Sequence, residues 1–133
     1  MPMSRLYLAC ELTAEDLREG EPCVSCNCPV ARSVARVLRR QVWVTAFRIE
    51  WMAGLVGARW LWGVRTPAEV ARAVEAVDAG ERKRVRPFSF RLPLTEEMAL
   101  AIATDRIEYG HEEPRGVFEE LGLAPLEGPP DAR

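Results

Sequence analysis

The stretch QVWVTAFRIEWMAGLVGARWLWGVR, residues 41–65, decides the fold. Its first half alternates with a period of two: Trp43, Thr45, Phe47, Ile49 and Trp51 fall on one side, and Val42, Val44, Ala46, Arg48 and Glu50 on the other. That period belongs to a strand, because successive side chains of an extended chain point to opposite faces. The spacing predicts one long strand whose Trp43 face lies in the core. Gly54 and Gly57 then mark a turn, and ARWLWGV reads as a second strand, so 42–65 is expected to be a β-hairpin carrying much of the aromatic core.

Upstream, SRLYLACEL (4–12) alternates Leu6, Leu8, Cys10 and Leu12 against Arg5, Tyr7, Ala9 and Glu11, which predicts a half-buried strand. Thr13 follows as a helix cap with Asp16 in the capping-box position, and the short helix stops near Gly20. After a cysteine-rich loop, Pro29 opens a second helix. Its Val30, Val34, Val37 and Leu38 share one side, and Arg32, Arg36, Arg39 and Arg40 the other.

Downstream, TPAE (66–69) reads as a helix start with Thr66 as cap, and Gly80 as its stop. RVRPFSFRLPL predicts a strand whose Pro87 and Pro93 favour an edge or a bulge. A helix from Thr95 to about Tyr109 and a short final helix in PRGVFEELG complete the order β-α-α-β-β-α-β-α-α. Strands do not alternate regularly with long helices, so the expected class is α+β: a small single domain over 1–125, with a mixed or antiparallel sheet, a β-hairpin and several short helices. The Pro/Gly-rich segment 126–133 is expected to be a disordered tail.

The 133 residues suit one domain, and a formal net charge of -2 gives no global electrostatic case for nucleic acid or membrane. No run approaches the roughly 20 apolar residues that span a bilayer. MPMSRLYLACELT lacks a secretory layout, and a cytoplasmic protein with reduced or metal-bound cysteines is expected. Arginine almost replaces lysine, Lys83 being the only one, and there are 10 prolines. Both a thermophilic and a GC-rich source give that composition.

Four groups of residues are candidates for function. Cys23 and Cys26 have metal-ligand spacing, and Cys28 or Cys10 could complete a four-thiolate zinc site. The bland alternative keeps Cys10 as a small buried hydrophobe and Cys28 as a helix cap, with no cofactor. Arg32, Arg36, Arg39 and Arg40 on one helix, with Arg82, Lys83, Arg84 and Arg86 in a loop, could contact nucleic acid, or simply be a solvated face. Between Trp51 and Trp62 the only charge is Arg59. Leu55 and Val56 of that turn, with Trp51 or Trp60, are therefore expected to contact a protein partner or a second copy of the chain. His111, in GHEEPRG, reads as a surface residue, and no nucleophile elbow or Gly-rich phosphate loop points to an enzyme.

Three segments together resemble a group of small bacteriophage proteins: LTAEDLREGEPCVSCNCPVARSVARVL, the QVWV strand, and PAEVARAVEAVDAGERKRVRPFSF. The similarity runs over about 12–92 and is carried by Cys28-Pro29-Val30-Ala31, Asp78-Ala79-Gly80 and Pro87-Phe88-Ser89-Phe90. The group has a Cys-x-x-Cys before Pro-Val-Ala; here Ser25 stands three residues before Cys28. The resemblance implies a phage or prophage origin and no assigned activity. By analogy with small phage proteins that redirect host transcription, the first expectation is a non-enzymatic protein that binds and modulates a host macromolecule, the host RNA polymerase being one candidate. The alternative is a nucleic-acid-binding regulator using the arginine clusters, with a zinc-stabilised cysteine loop.

Overall fold

The computed structural model describes residues 6–53 and 60–123. Two antiparallel sheets and five α-helices follow in the order β1 (Leu6–Leu12), α1 (Ala14–Glu19), α2 (Pro29–Leu38), β2 (Val42–Val44), β3 (Arg48–Ala53), β4 (Trp60–Arg65), α3 (Ala68–Asp78), β5 (Phe88–Leu94), α4 (Glu96–Glu108) and α5 (Pro114–Leu121). The class is α+β. Strands β1 and β5 form one sheet, in register from Leu6 opposite Leu94 to Leu12 opposite Phe88. Pro93 thus lies in a two-stranded sheet, where a missing N–H is tolerated. Strands β2, β3 and β4 form the other sheet.

Helix α2 joins the two sheets, packing against both β1 and β2. Its apolar side, Val30, Ala31, Val34 and Leu38, is buried with Leu8, Leu12, Val42, Ile49 and Leu92 in one continuous core. Cys28 caps the N-terminus of α2 through its sulfur, and Pro29 occupies the first turn. The capping box expected at Thr13 is present: the Thr13 hydroxyl accepts from the Asp16 N–H, and the Asp16 carboxylate accepts from the Thr13 N–H. Helices α4 and α5 pack on each other, α4 also touching β3 and β5 and α5 touching β1. The Thr95 hydroxyl caps α4 by accepting from the Met98 N–H. Gly122 closes α5 at φ 74°, in the left-handed region that favours glycine. Among the described residues no helix is long and apolar enough to cross a membrane.

The expected long strand at 42–51 is two strands. Val42 faces Trp51, Trp43 faces Glu50 and Val44 faces Ile49, so the chain reverses at Ala46-Phe47. Facing residues share a side of the sheet, so even-numbered residues of β2 point the same way as odd-numbered residues of β3. Val42 and Val44 are buried with Ile49, Trp51 and Ala53, while Trp43 is only half-buried on the outer side. The single-face assignment of Trp43 with Trp51 is therefore corrected. The expected two-stranded hairpin over 42–65 becomes a three-stranded meander.

A second correction concerns Thr66. It does not cap α3, whose N-cap is Pro67 with no side-chain hydrogen bond. Its hydroxyl instead donates to the Thr45 carbonyl at 2.9 Å. The predicted tail at 126–133 and the turn at 54–59 lie outside the described residues.

Trp51 has no exposed surface, and Trp43 keeps one side in solvent. Trp51→Ala is expected to lower the unfolding free energy by about 3–5 kcal/mol. Trp43→Ala should cost less, about 1–2 kcal/mol, because part of its area stays in water. Urea denaturation of the two variants checks the reversal at Ala46-Phe47. A larger loss at Trp43 than at Trp51 would contradict it.

Candidate functional site

The cysteine loop is fastened to its neighbours by backbone contacts. The Cys23 N–H donates to Asp78 Oδ1 at 2.8 Å, tying the loop to the end of α3, and Cys23 holds φ 61°. The Ser25 carbonyl accepts from the Val44 N–H at 2.8 Å, extending the edge of β2. Gly20 allows the loop to close, since a Cβ there would lie 2.4 Å from Pro29 N.

The four sulfurs divide into two kinds. Cys10 is buried in β1 and its thiol donates to the Leu8 carbonyl; burial pushes that thiol up to about 12. Cys28 is buried with its sulfur accepting from the Ala31 N–H at 3.4 Å. Burial pushes its thiol up as well, against the smaller opposing pull of the helix N–H groups. Cys23 and Cys26 are exposed free thiols. Zinc ligation requires thiolates, and burial opposes that form at Cys10 and Cys28. Among the described residues no group of three or more Cys, His, Asp or Glu side chains converges on a common point.

The arginines of α2, with Arg39 and Arg40 just after it, are engaged by buried or half-buried acids. Asp16 is fully buried and pairs with Arg36, and its Oδ1 lies 3.7 Å from Arg32 Nε. Arg39 pairs with Glu112 at 3.1 Å, and Arg40 pairs with Asp105. Arg82 donates to the carbonyls of Leu17, Arg18 and Gly20, capping the end of α1 from 62–65 residues away. Arg84 lies only within 4.0 Å of Glu81, and Lys83 and Arg86 are exposed. The arrangement ties five of the eight predicted nucleic-acid residues (Arg32, Arg36, Arg39, Arg40, Arg82) into the fold.

No local pattern in the sequence marks Arg106, which is 3% exposed. Its guanidinium grips Glu112 through two hydrogen bonds, at 3.0 and 2.7 Å, and Glu120 through one at 2.9 Å. Those bonds hold Glu112 below the usual carboxylate range.

The arrangement best suited to recognition is the β2–β3 reversal. The Thr45 hydroxyl accepts from the N–H groups of Phe47 and Arg48, both at 3.1 Å, and donates to the Arg48 carbonyl at 3.4 Å. That uses the full capacity of a hydroxyl, one donor and two acceptors. In an ordinary two-residue reversal the Arg48 N–H would go to the Thr45 carbonyl. Here the side chain takes that role, and the freed carbonyl accepts from the Thr66 hydroxyl. The Thr66 N–H donates to the Phe47 carbonyl at 3.1 Å. Phe47, at the tip, is 78% exposed, the most exposed large apolar side chain among the described residues.

Two grooves flank it. One, of about 290 Å³, runs towards Cys23, Val24 and Val74; the other, of about 470 Å³, is lined by Ala46, Phe47, Arg48, Arg65 and Thr66.

Of the predicted docking residues, Trp51 is fully buried and belongs to the core, which corrects its assignment to a surface. Leu55 and Val56 lie outside the described residues, as does the side chain of Trp60, whose backbone pairs with Ala53. Phe47 was missed because it was read as an inward position of a continuous strand. The signal lay in the apolar residues themselves, which change from even positions (Val42, Val44) to odd ones (Ile49, Trp51).

No protein-family model matches the chain, and neither the curated proteins nor the solved structures give a match.

Two outcomes are expected. A thiol reagent such as 5,5′-dithiobis-(2-nitrobenzoate) should titrate Cys23 and Cys26 rapidly in the native protein, and Cys10 and Cys28 only on unfolding; four fast thiols would contradict the burial described. Arg36→Gln should destabilise the fold by about 1–2 kcal/mol, a reduced value because Arg36 is half-exposed and Arg32 remains beside Asp16. An unchanged thermal midpoint would show that Arg36 is not needed to balance the buried carboxylate.

Proposed function

We propose that this chain is a non-enzymatic interaction protein that docks a macromolecular partner through the Phe47 turn. The observation that carries the reading is a large aromatic side chain held in solvent on a turn whose polar groups are bonded internally. Leaving a phenyl ring in water forgoes about 1.5–3 kcal/mol of burial free energy, and nothing in the local fold requires that ring. Aromatic side chains on fixed backbone are effective anchors, because little conformational entropy is lost when they are buried. Val24 is exposed beside the adjoining groove, and the polar Thr45 and Arg48 rim the tip, as in an apolar centre with a polar edge.

The resemblance to small phage proteins makes a host macromolecule the partner in this proposal, with the host RNA polymerase as the first candidate. The nucleic-acid alternative draws less support, because most of its arginines balance buried acids or cap α1.

Affinity capture from host lysate, with the full chain immobilised, tests the reading. Wild type is expected to retain a stoichiometric partner that Phe47→Ser loses, with the variant's thermal midpoint unchanged or raised. Equal capture by both proteins would contradict docking through Phe47.

A further inference from the structure

The Phe47 turn carries an unbalanced charge as well as an aromatic ring. Strand pairing sets Arg48 directly opposite Arg65 across β3 and β4. Like charges in facing positions repel, since their Cβ atoms are only about 4.5–5.5 Å apart. Arg48 has a counter-ion: its Nε donates to Glu50 Oε2 at 3.2 Å. Arg65 is exposed and has no ion-pair partner among the described residues.

Gly63 holds this arrangement open. A Cβ at that position would lie 2.3 Å from Arg48 Nη2, so the missing side chain is what lets the Arg48 guanidinium lie across β4. The groove beside these residues is lined by Ala46, Phe47, Arg48, Arg65 and Thr66 and contains no acid. Its floor is fixed, because Thr66 is buried and bonded to both Thr45 and Phe47.

We infer that the occupant of this groove is an acidic peptide segment of a protein partner, with a carboxylate between Arg65 and Arg48 and a neighbouring apolar side chain on Phe47. This rests on the reading of Phe47 as the docking element and adds the chemistry of what docks. A guanidinium presents paired N–H donors that match a carboxylate, and a charge-assisted contact of that kind is about twice as strong as a neutral one. A nucleic-acid strand fits less well. It needs a track of cations along its backbone, whereas this face offers one uncompensated guanidinium next to Glu50.

The test is an NMR titration of the isotope-labelled full chain with two synthetic peptides, acetyl-Gly-Glu-Leu-Glu-Leu-Gly-amide and its counterpart with Lys in place of Glu, and with a deoxythymidine octamer. The acidic peptide should shift the amides of Phe47, Arg48 and Thr66 saturably, and the basic one should not. Arg65→Gln should weaken acidic binding about tenfold, the loss of one charge-assisted contact. Arg65→Glu should reverse the preference towards the basic peptide. Absence of a saturable shift with the acidic peptide at millimolar concentration overturns the inference, as does tighter binding of the octamer to the same amides. Equal binding of both peptides, lost in Phe47→Ser, overturns the acidic specificity and leaves docking through Phe47 standing. Binding unchanged in Phe47→Ser removes the docking reading itself.

Discussion

The hydrogen bond from the Thr66 hydroxyl to the Thr45 carbonyl is the constraint on which the rest of this structure turns. It joins the end of β4 to the reversal between β2 and β3, and so fixes where the chain turns back. Moving that reversal by one residue would exchange the buried and exposed sides of β3. Trp51, Ile49 and Ala53 would leave the core, and Arg48 and Glu50 would enter it. With the reversal at Ala46-Phe47, the largest fully buried side chain and the most exposed large apolar one among the described residues lie only four residues apart and have opposite roles. Packing and the candidate function therefore depend on the same local contact.

Several charged side chains in this protein are architectural. Asp16 is fully buried at the first turn of α1, and α2 brings Arg32 and Arg36 to it. Arg106 is buried between Glu112 and Glu120, and Arg39 reaches the same Glu112. Asp16 with Arg32 and Arg36, and Arg39 with Glu112, link elements distant in sequence; removing both arginines from Asp16, or both glutamates from Arg106, would leave a buried ion uncompensated, which is costly in a low-dielectric interior. Arg65 stands outside this pattern, exposed opposite another arginine. What distinguishes it from other exposed cations, Lys83 and Arg86 among them, is its place opposite Arg48 and beside the exposed Phe47.

Most elements were legible because their signals are local. Alternation in LYLACEL, the Thr13–Asp16 capping box, Pro29 at the start of α2, Thr95 at the start of α4 and Gly122 after α5 each report a backbone requirement within a few residues. The β2–β3 reversal was not legible for a physical reason. Tight hairpins normally announce themselves with Asn-Gly or Asp-Gly, which supply positive φ, and neither Ala46 nor Phe47 has positive φ. A threonine hydroxyl and a second threonine, 21 residues further on, do the work instead. For the same reason Thr66 looked like a helix cap: its sequence context fits one, and only the tertiary structure shows its hydroxyl committed elsewhere. Arg32 and Arg36 lie on α2, whereas Arg39 is its left-handed C-cap and Arg40 follows it, so the four do not make one helix face; their acids come from α1, α4 and the segment before α5, which no local pattern links to them.

Amide hydrogen exchange at Thr66 and Phe47 tests the central claim most directly. Both amides belong to the turn, one donating to the Phe47 carbonyl and the other to the Thr45 hydroxyl. If the reversal is locked as described, the Thr66 amide exchanges as slowly as those of the β3–β4 ladder, and Thr66→Val speeds exchange at Phe47 without unfolding the sheet. Exchange of the Thr66 amide at the rate of an open chain, or an unchanged Phe47 rate in Thr66→Val, would contradict the account.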